Sequence, residues 1–123
     1  MTKKQAEKLI AKIQKLLKFQ DVKIKLDFRD TAPDWAEGRF DNAGGLCWSH
    51  PVGKSAKIWI SPRNCKNINA DIREVILHEA LESAFRDSGF KNTSDSKHSL
   101  INTLGEVLFE LLFNKKAKSW LDK

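Results

Sequence analysis

His78, Glu79 and Glu82 stand in the segment EVILHEALESAF, residues 74–85, and their types and spacing suit metal-ion chemistry. Helical positions four apart lie one turn apart on the same face, so the His78 imidazole and the Glu82 carboxylate can reach a single ion. Zinc accepts nitrogen and oxygen ligands, and its catalytic sites use three from the protein and leave the fourth position for water. Glu79 follows the first ligand and points to the side of such an ion. A carboxylate there can take a proton from a water on the metal. His98, with 15 residues between it and Glu82, is the leading candidate for the third ligand.

At 100° per residue, His78, Glu79 and Glu82 share an arc of about 100°. The rest of the helix carries Ile72, Ile76, Leu77, Ala80, Leu81 and Phe85. So apolar a helix is expected to be largely buried, and buried carboxylates are costly unless they are paired or bound to a cation. Asp95, Glu106 and His50 are weaker candidates for the third position. Asp95 is expected to cap a helix, and Glu106 lies about 80° around that helix from His98. His50 follows a strand and precedes Pro51, as an exposed loop histidine does.

Several elements must position these groups. KKQAEKLIAKIQKLLKF (3–19) places Ala6, Leu9, Ile10, Ile13, Leu16 and Leu17 at helical spacing, with lysines on the remaining surface. VKIKLDF (22–28) alternates as a half-buried strand does, and RDTAPDWA (29–36) reads as a loop. EGRFDNAGGLCWSH is expected to form short strands near 37–41 and 45–49, with Asn42, Gly44 and Gly45 supplying the turn dihedrals. AKIWIS (56–61) is a further strand, ended by Pro62 and the polar run to Asn69. The motif helix is expected from Asn69–Asp71 to about Asp87. After a loop capped by Ser94, Asp95 or Ser96, a last helix from about Lys97 to Phe113 carries Ile101, Leu104, Leu108, Leu111 and Leu112. If the last two helices are antiparallel, His98 falls about one turn beyond Glu82. The order predicts a single α+β domain over residues 1–123: a small, mostly antiparallel sheet with an N-terminal helix and two C-terminal helices.

Hydrophobic residues make up 41% of the 123 and charged residues 31%, as in a folded soluble chain and not a disordered one. No apolar run is long enough to span a bilayer and none resembles a secretory signal, so a cytoplasmic protein with no membrane partner is expected. Cys47 and Cys65 are then expected as reduced thiols. The net charge of +6 is uneven. Residues 1–20 hold six Lys against Glu7 (+5), residues 115–123 hold four Lys against Asp122 (+3), and the middle comes to −2. A slightly acidic middle argues against a nucleic-acid groove built around the motif helix.

The segments KIWISPRN (57–64), IREVILHEALESAF (72–85) and KHSLINTLGEVLFELL (97–112) together resemble the small zinc metallopeptidases of phages and prophages, relatives of the minimal gluzincins. Those proteins carry a strand, a short connection, a helix with H-E-x-x-H and a final helix. The resemblance implies a zincin-like fold, a Zn²⁺ ion, and hydrolysis of peptide bonds in an extended peptide or protein substrate. If the gene is phage-borne, the host cytoplasm is the implied location. By the same resemblance His78 takes the place of the first ligand and Glu79 that of the catalytic base. Glu82 stands where the family has its second histidine, and His98 near where it has a downstream acidic ligand.

H-E-x-x-E therefore has two readings. The set of two histidines and one carboxylate is kept with two positions exchanged, which suits zinc equally. Alternatively the site has lost its metal. A peptidase holding its substrate along AKIWIS by strand addition, a zincin-like binding module without chemistry, and a protein that binds nucleic acid through its basic ends all stay open, with nucleic acid ranked last.

Overall fold

The computed structural model describes residues 1–36, 41–50, 54–85 and 94–113. Helix α1 spans Lys3–Leu17. Thr2 caps it by accepting from the Gln5 amide, while the Gln5 side chain accepts from the Thr2 amide. This reciprocal pairing satisfies two of the free donors at a helix start. Ala6, Ile10 and Ile13 are buried, but Leu16 and Leu17 are exposed. The apolar stripe expected to reach Leu17 thus stops about a turn early. Lys18 then takes a left-handed conformation (φ 60°), and the Gln14 side-chain amide donates to the Phe19 and Val22 carbonyls, turning the chain into the first strand.

Strands β1 (Lys23–Phe28), β2 (Gly45–Ser49) and β3 (Ser55–Ile60) form a sheet in the order β1-β3-β2. β2 and β3 are antiparallel, whereas β1 and β3 are parallel. The sheet is mixed, and the mostly antiparallel arrangement expected from the sequence is corrected. The cause is connection length. β2 and β3 are joined by a short link over 50–54, which forces an antiparallel pair, while residues 29–44 are long enough to bring the chain around to the far side of β3. Alternation of side chains marks a strand but not its neighbour or direction. The expected strand at 37–41 falls mostly outside the described residues, and Asp41 is in a turn.

After β3 the structure departs again from expectation. Pro62–Asn67 is a short helix, α2, where an irregular run was expected. Ser61 caps it by accepting from the Asn64 amide, and Pro62 occupies the first turn, where its missing N–H costs nothing. Helix α3, Ile72–Ala84, is capped by Asp71, and α4 spans Ser94–Phe113. Ser94, Asp95 and Ser96 are thus helical, so the expected loop ends before them. The motif helix ends at Ala84, with the Phe85 amide donating to the Leu81 carbonyl as its cap, about three residues short of the end expected near Asp87.

Ile10, Leu26, Ile58, Ile60 and Ile76 join α1, the sheet and α3 in one core. Ile13, Leu77, Ala80, Leu81 and Ile101 join α1, α3 and α4 in a second. Among the described residues no helix is long and apolar enough to cross a membrane. Cys47 and Cys65 are not joined in a disulfide; Cys65 is buried and Cys47 half-buried.

Candidate metal centre

α3 packs against α1, β2, β3 and α4, so few of its positions can meet solvent. Ile76, Leu77, Ala80 and Leu81 are fully buried. His78 and Glu82 lie along the strip left between its neighbours. α4 supplies the third group because it runs antiparallel to α3. At one end the Arg73 guanidinium lies over Phe109 and Phe113, with ring centres 5.4 and 4.5 Å away. At the other, His98 faces Glu82.

The Glu82 carboxylate stands between two imidazoles. Its Oε1 is 3.5 Å from His78 Nε2 and 3.3 Å from His98 Nδ1. The two rings lie nearly parallel at 11°, with centroids 6.4 Å apart. One ligand atom from each residue lies within 4.8 Å of the others, and among the described residues His78, Glu82 and His98 are the trio that meets this geometry. Ligands about 2.1 Å from a tetrahedral ion are about 3.4 Å apart, so the two Glu82 contacts already match the edges of such a polyhedron. The donor set, two imidazoles and one carboxylate, fits zinc. In the structure as it stands the Glu82 carboxylate beside it is the main influence holding the His78 pKa above its ordinary value.

Glu79 is the unusual group. It is 6% exposed, and its Oε2 is buried with no hydrogen-bond partner. Burial pushes its pKa up from 4.5 to about 7; nearby His78 opposes the rise and Glu82 adds to it. A buried, unpaired carboxylate is costly and calls for a specific reason. It faces an open cleft of about 400 Å³ whose lining includes Gly44, Gly45, Asp71, Glu74, His78 and Glu79. Glu82 and His98 are not part of that lining, so His78 is the residue the cleft and the cluster share.

Gly44 and Gly45 were read from sequence as turn dihedrals. Neither lies in the left-handed region, and the glycines serve close approach instead. A β-carbon on Gly45 would sit 2.7 Å from Val75 Cγ1 and 3.1 Å from Glu79 Cγ. Strand β2 therefore passes directly over the face of α3 that carries Glu79. The glycine pair at the opening of β2 is the signal that could have marked this wall. Gly44 is held from the other side, where buried Asn64 donates to the carbonyls of Asp41 and Ala43 and the Cys65 thiol donates to the Gly44 carbonyl.

The weaker candidates lie elsewhere. His50 packs edge-on against Trp48, with centroids 5.6 Å apart. Glu106 is exposed on α4. The Asp95 side chain lies outside the described residues. The strand AKIWIS cannot receive an extended peptide by strand addition, because β3 is the central strand and is paired on both sides. Among the described residues β2 is the sheet edge beside the cleft. Compared with known proteins, the chain matches no family model, no curated protein and no solved structure.

Proposed function

We propose that the protein is a zinc-dependent hydrolase of peptide bonds, with a zincin-like site in which His78, Glu82 and His98 hold the ion. One observation carries the reading: a buried carboxylate without a partner, Glu79, faces a cleft beside a cluster of two imidazoles and a carboxylate. A zinc ion held by these three residues would supply Lewis acidity, acidifying a water and polarising a substrate carbonyl. Glu79 is the proton acceptor for the attacking water and returns the proton to the leaving amine. A carboxyl group whose proton affinity is raised toward neutrality by burial suits both transfers. The substrate lies as an extended strand along the outer edge of β2, where main-chain hydrogen bonds orient it and Gly45 brings it close to Glu79.

A second reading rests on the two Glu82 contacts. A carboxylate flanked by two imidazoles at 3.5 and 3.3 Å is also a self-contained ion-pair cluster, the arrangement expected of a binding module that keeps the fold without the chemistry. Cleavage of a diverse unstructured peptide pool separates the two. Zinc-loaded wild type should cut, chelation should stop it, and Glu79→Gln should lower turnover by a factor on the order of 10²–10⁴. Identical fragment patterns from all three preparations would favour the binding module.

A further inference from the structure

The sheet has a second face, which the candidate metal centre does not use. Ala56, Ile58 and Ile60 of β3, with Ile24 and Leu26 of β1, point toward the helices, so alternation sends Lys57, Lys23 and Lys25 the other way. Register sets Lys25 beside Lys57 and Trp48 on the far side of Lys57. Two lysines and a tryptophan thus form a row across three strands, with Lys23 next to Ser55.

Half of this face is closed. The fully buried Trp59 donates its indole N–H to the Arg29 carbonyl at 2.9 Å, and Trp35 donates to Asp27 Oδ2 at 2.9 Å. The other half is open, as a shallow cleft of about 350 Å³ lined chiefly by Lys23, Lys25, Trp48, His50, Ser55 and Lys57. Its charge is unbalanced. Asp21 is paired with Lys54 and Asp27 is engaged by Trp35, while Lys23 and Lys25 are exposed and have no carboxylate partner among the described residues. Like charges on adjacent strands, as at Lys25 and Lys57, weaken a sheet unless an anion lies between them. Trp48 is 41% exposed, with the Lys57 ammonium 5.3 Å over its ring.

We propose that this open half-face binds single-stranded nucleic acid. The phosphates lie along Lys23, Lys25 and Lys57, and a base stacks on Trp48 in the place now held by the Lys57 ammonium. An acidic peptide would use the lysines but has no need of the exposed indole. A duplex keeps its bases paired and out of reach of a single ring. The surface is separate from the metal centre, and the proposal stands whether or not zinc is bound there.

Fluorescence anisotropy with a labelled oligothymidylate of about twelve nucleotides, at several KCl concentrations, tests it. Three phosphate contacts give a slope of log K against log salt near −2, from about −0.7 per contact. Lys25→Ala and Lys57→Ala should each flatten the slope by about 0.7. Trp48→Ala should weaken binding about tenfold or more with the slope kept, and Trp48→Phe should retain most of the affinity. A control that removes three charges elsewhere, Lys4, Lys8 and Lys12→Ala on α1, should leave the slope unchanged. The proposal is overturned if the α1 control flattens the slope as much as the sheet lysines do, or if Trp48→Ala binds like wild type. It is also overturned if a duplex of the same length or polyglutamate binds as tightly.

Discussion

The Arg73 guanidinium lies 4.5 Å over the Phe113 ring, and this contact fixes the end of the α3–α4 pair opposite His98. The same guanidinium donates to Asp71 Oδ2 at 2.7 Å, so it ties the helix start to the partner helix. Between the two ends Leu77, Leu81 and Ile101 are fully buried, which carries the alignment through to Glu82 and His98. A double-mutant cycle with Arg73→Ala and Phe113→Leu should give a coupling of about 0.5–1 kcal/mol in unfolding free energy. Simple additivity would mean that the ring and the cation are neighbours without an energetic link.

Asp71 caps α3 by accepting from the Arg73 amide at 2.9 Å. Asp71→Ala should cost about 0.5–2 kcal/mol in urea unfolding, and Asp71→Asn much less, since the amide oxygen also caps. The hydrogen bonds from Arg73 hold the Asp71 pKa below its ordinary 3.8. A depressed folded-state pKa adds stability above the unfolded value, lost as pH falls through the folded one. Acidifying below about pH 4 should therefore narrow the gap between wild type and Asp71→Asn. A gap that stays constant down to pH 2 would contradict the Arg73 pairing.

For Glu79 the sign is reversed. Its pKa is raised from 4.5 to about 7, so its contribution to stability is fully present below the unfolded value and is lost as pH rises through about 7. In chelated protein this amounts to about 3 kcal/mol between pH 4.5 and pH 8. His78, also raised, titrates in the same sense, and comparison with Glu79→Gln isolates the carboxyl group. Unfolding of the chelated proteins should show Glu79→Gln more stable than wild type at pH 8 and about equal at pH 4.5. Parallel pH profiles would show that Glu79 is solvated.

Gly45→Ala places a methyl group 2.7 Å from Val75 Cγ1. Overpacking of this kind should cost about 1–3 kcal/mol, and adding Val75→Ala should recover part of it. Hydrolysis should fall more than stability alone explains, because the same methyl group presses on Glu79 Cγ at 3.1 Å. Thermal unfolding and turnover of the single and double variants measure both. An unchanged melting temperature for Gly45→Ala would refute the close approach of β2 to α3.

The trio His78, Glu82 and His98 was legible because helical periodicity and an antiparallel turn are both local rules. The start of α3 at Asp71 followed from its capping chemistry in the same way. Strand β1 was legible as a strand but not as a parallel partner of β3, since pairing direction depends on the path of residues 29–44. Helix α2 was missed because Pro62 was taken as a terminator, although a proline directly after Ser61 marks a first helical turn equally well. The depth of Glu79 was not legible either. It arises from β2 crossing above it at Gly45, a contact between segments that no periodicity encodes.

Zinc titration of protein purified without a metal-binding tag, against a chromophoric chelator of known affinity, tests the central claim most directly. One equivalent should bind per chain. His78→Ala should abolish uptake, and Glu82→Ala and His98→Ala should each weaken it by more than about 100-fold, beyond what loss of a supporting group outside the ligand set would do. Glu82→His should keep or improve affinity, since imidazole suits zinc as well as carboxylate does. His50→Ala, Asp95→Ala and Glu106→Ala should bind as wild type does. Wild-type protein that takes up no zinc, or His98→Ala that keeps full affinity while Asp95→Ala or Glu106→Ala loses it, would contradict the assignment.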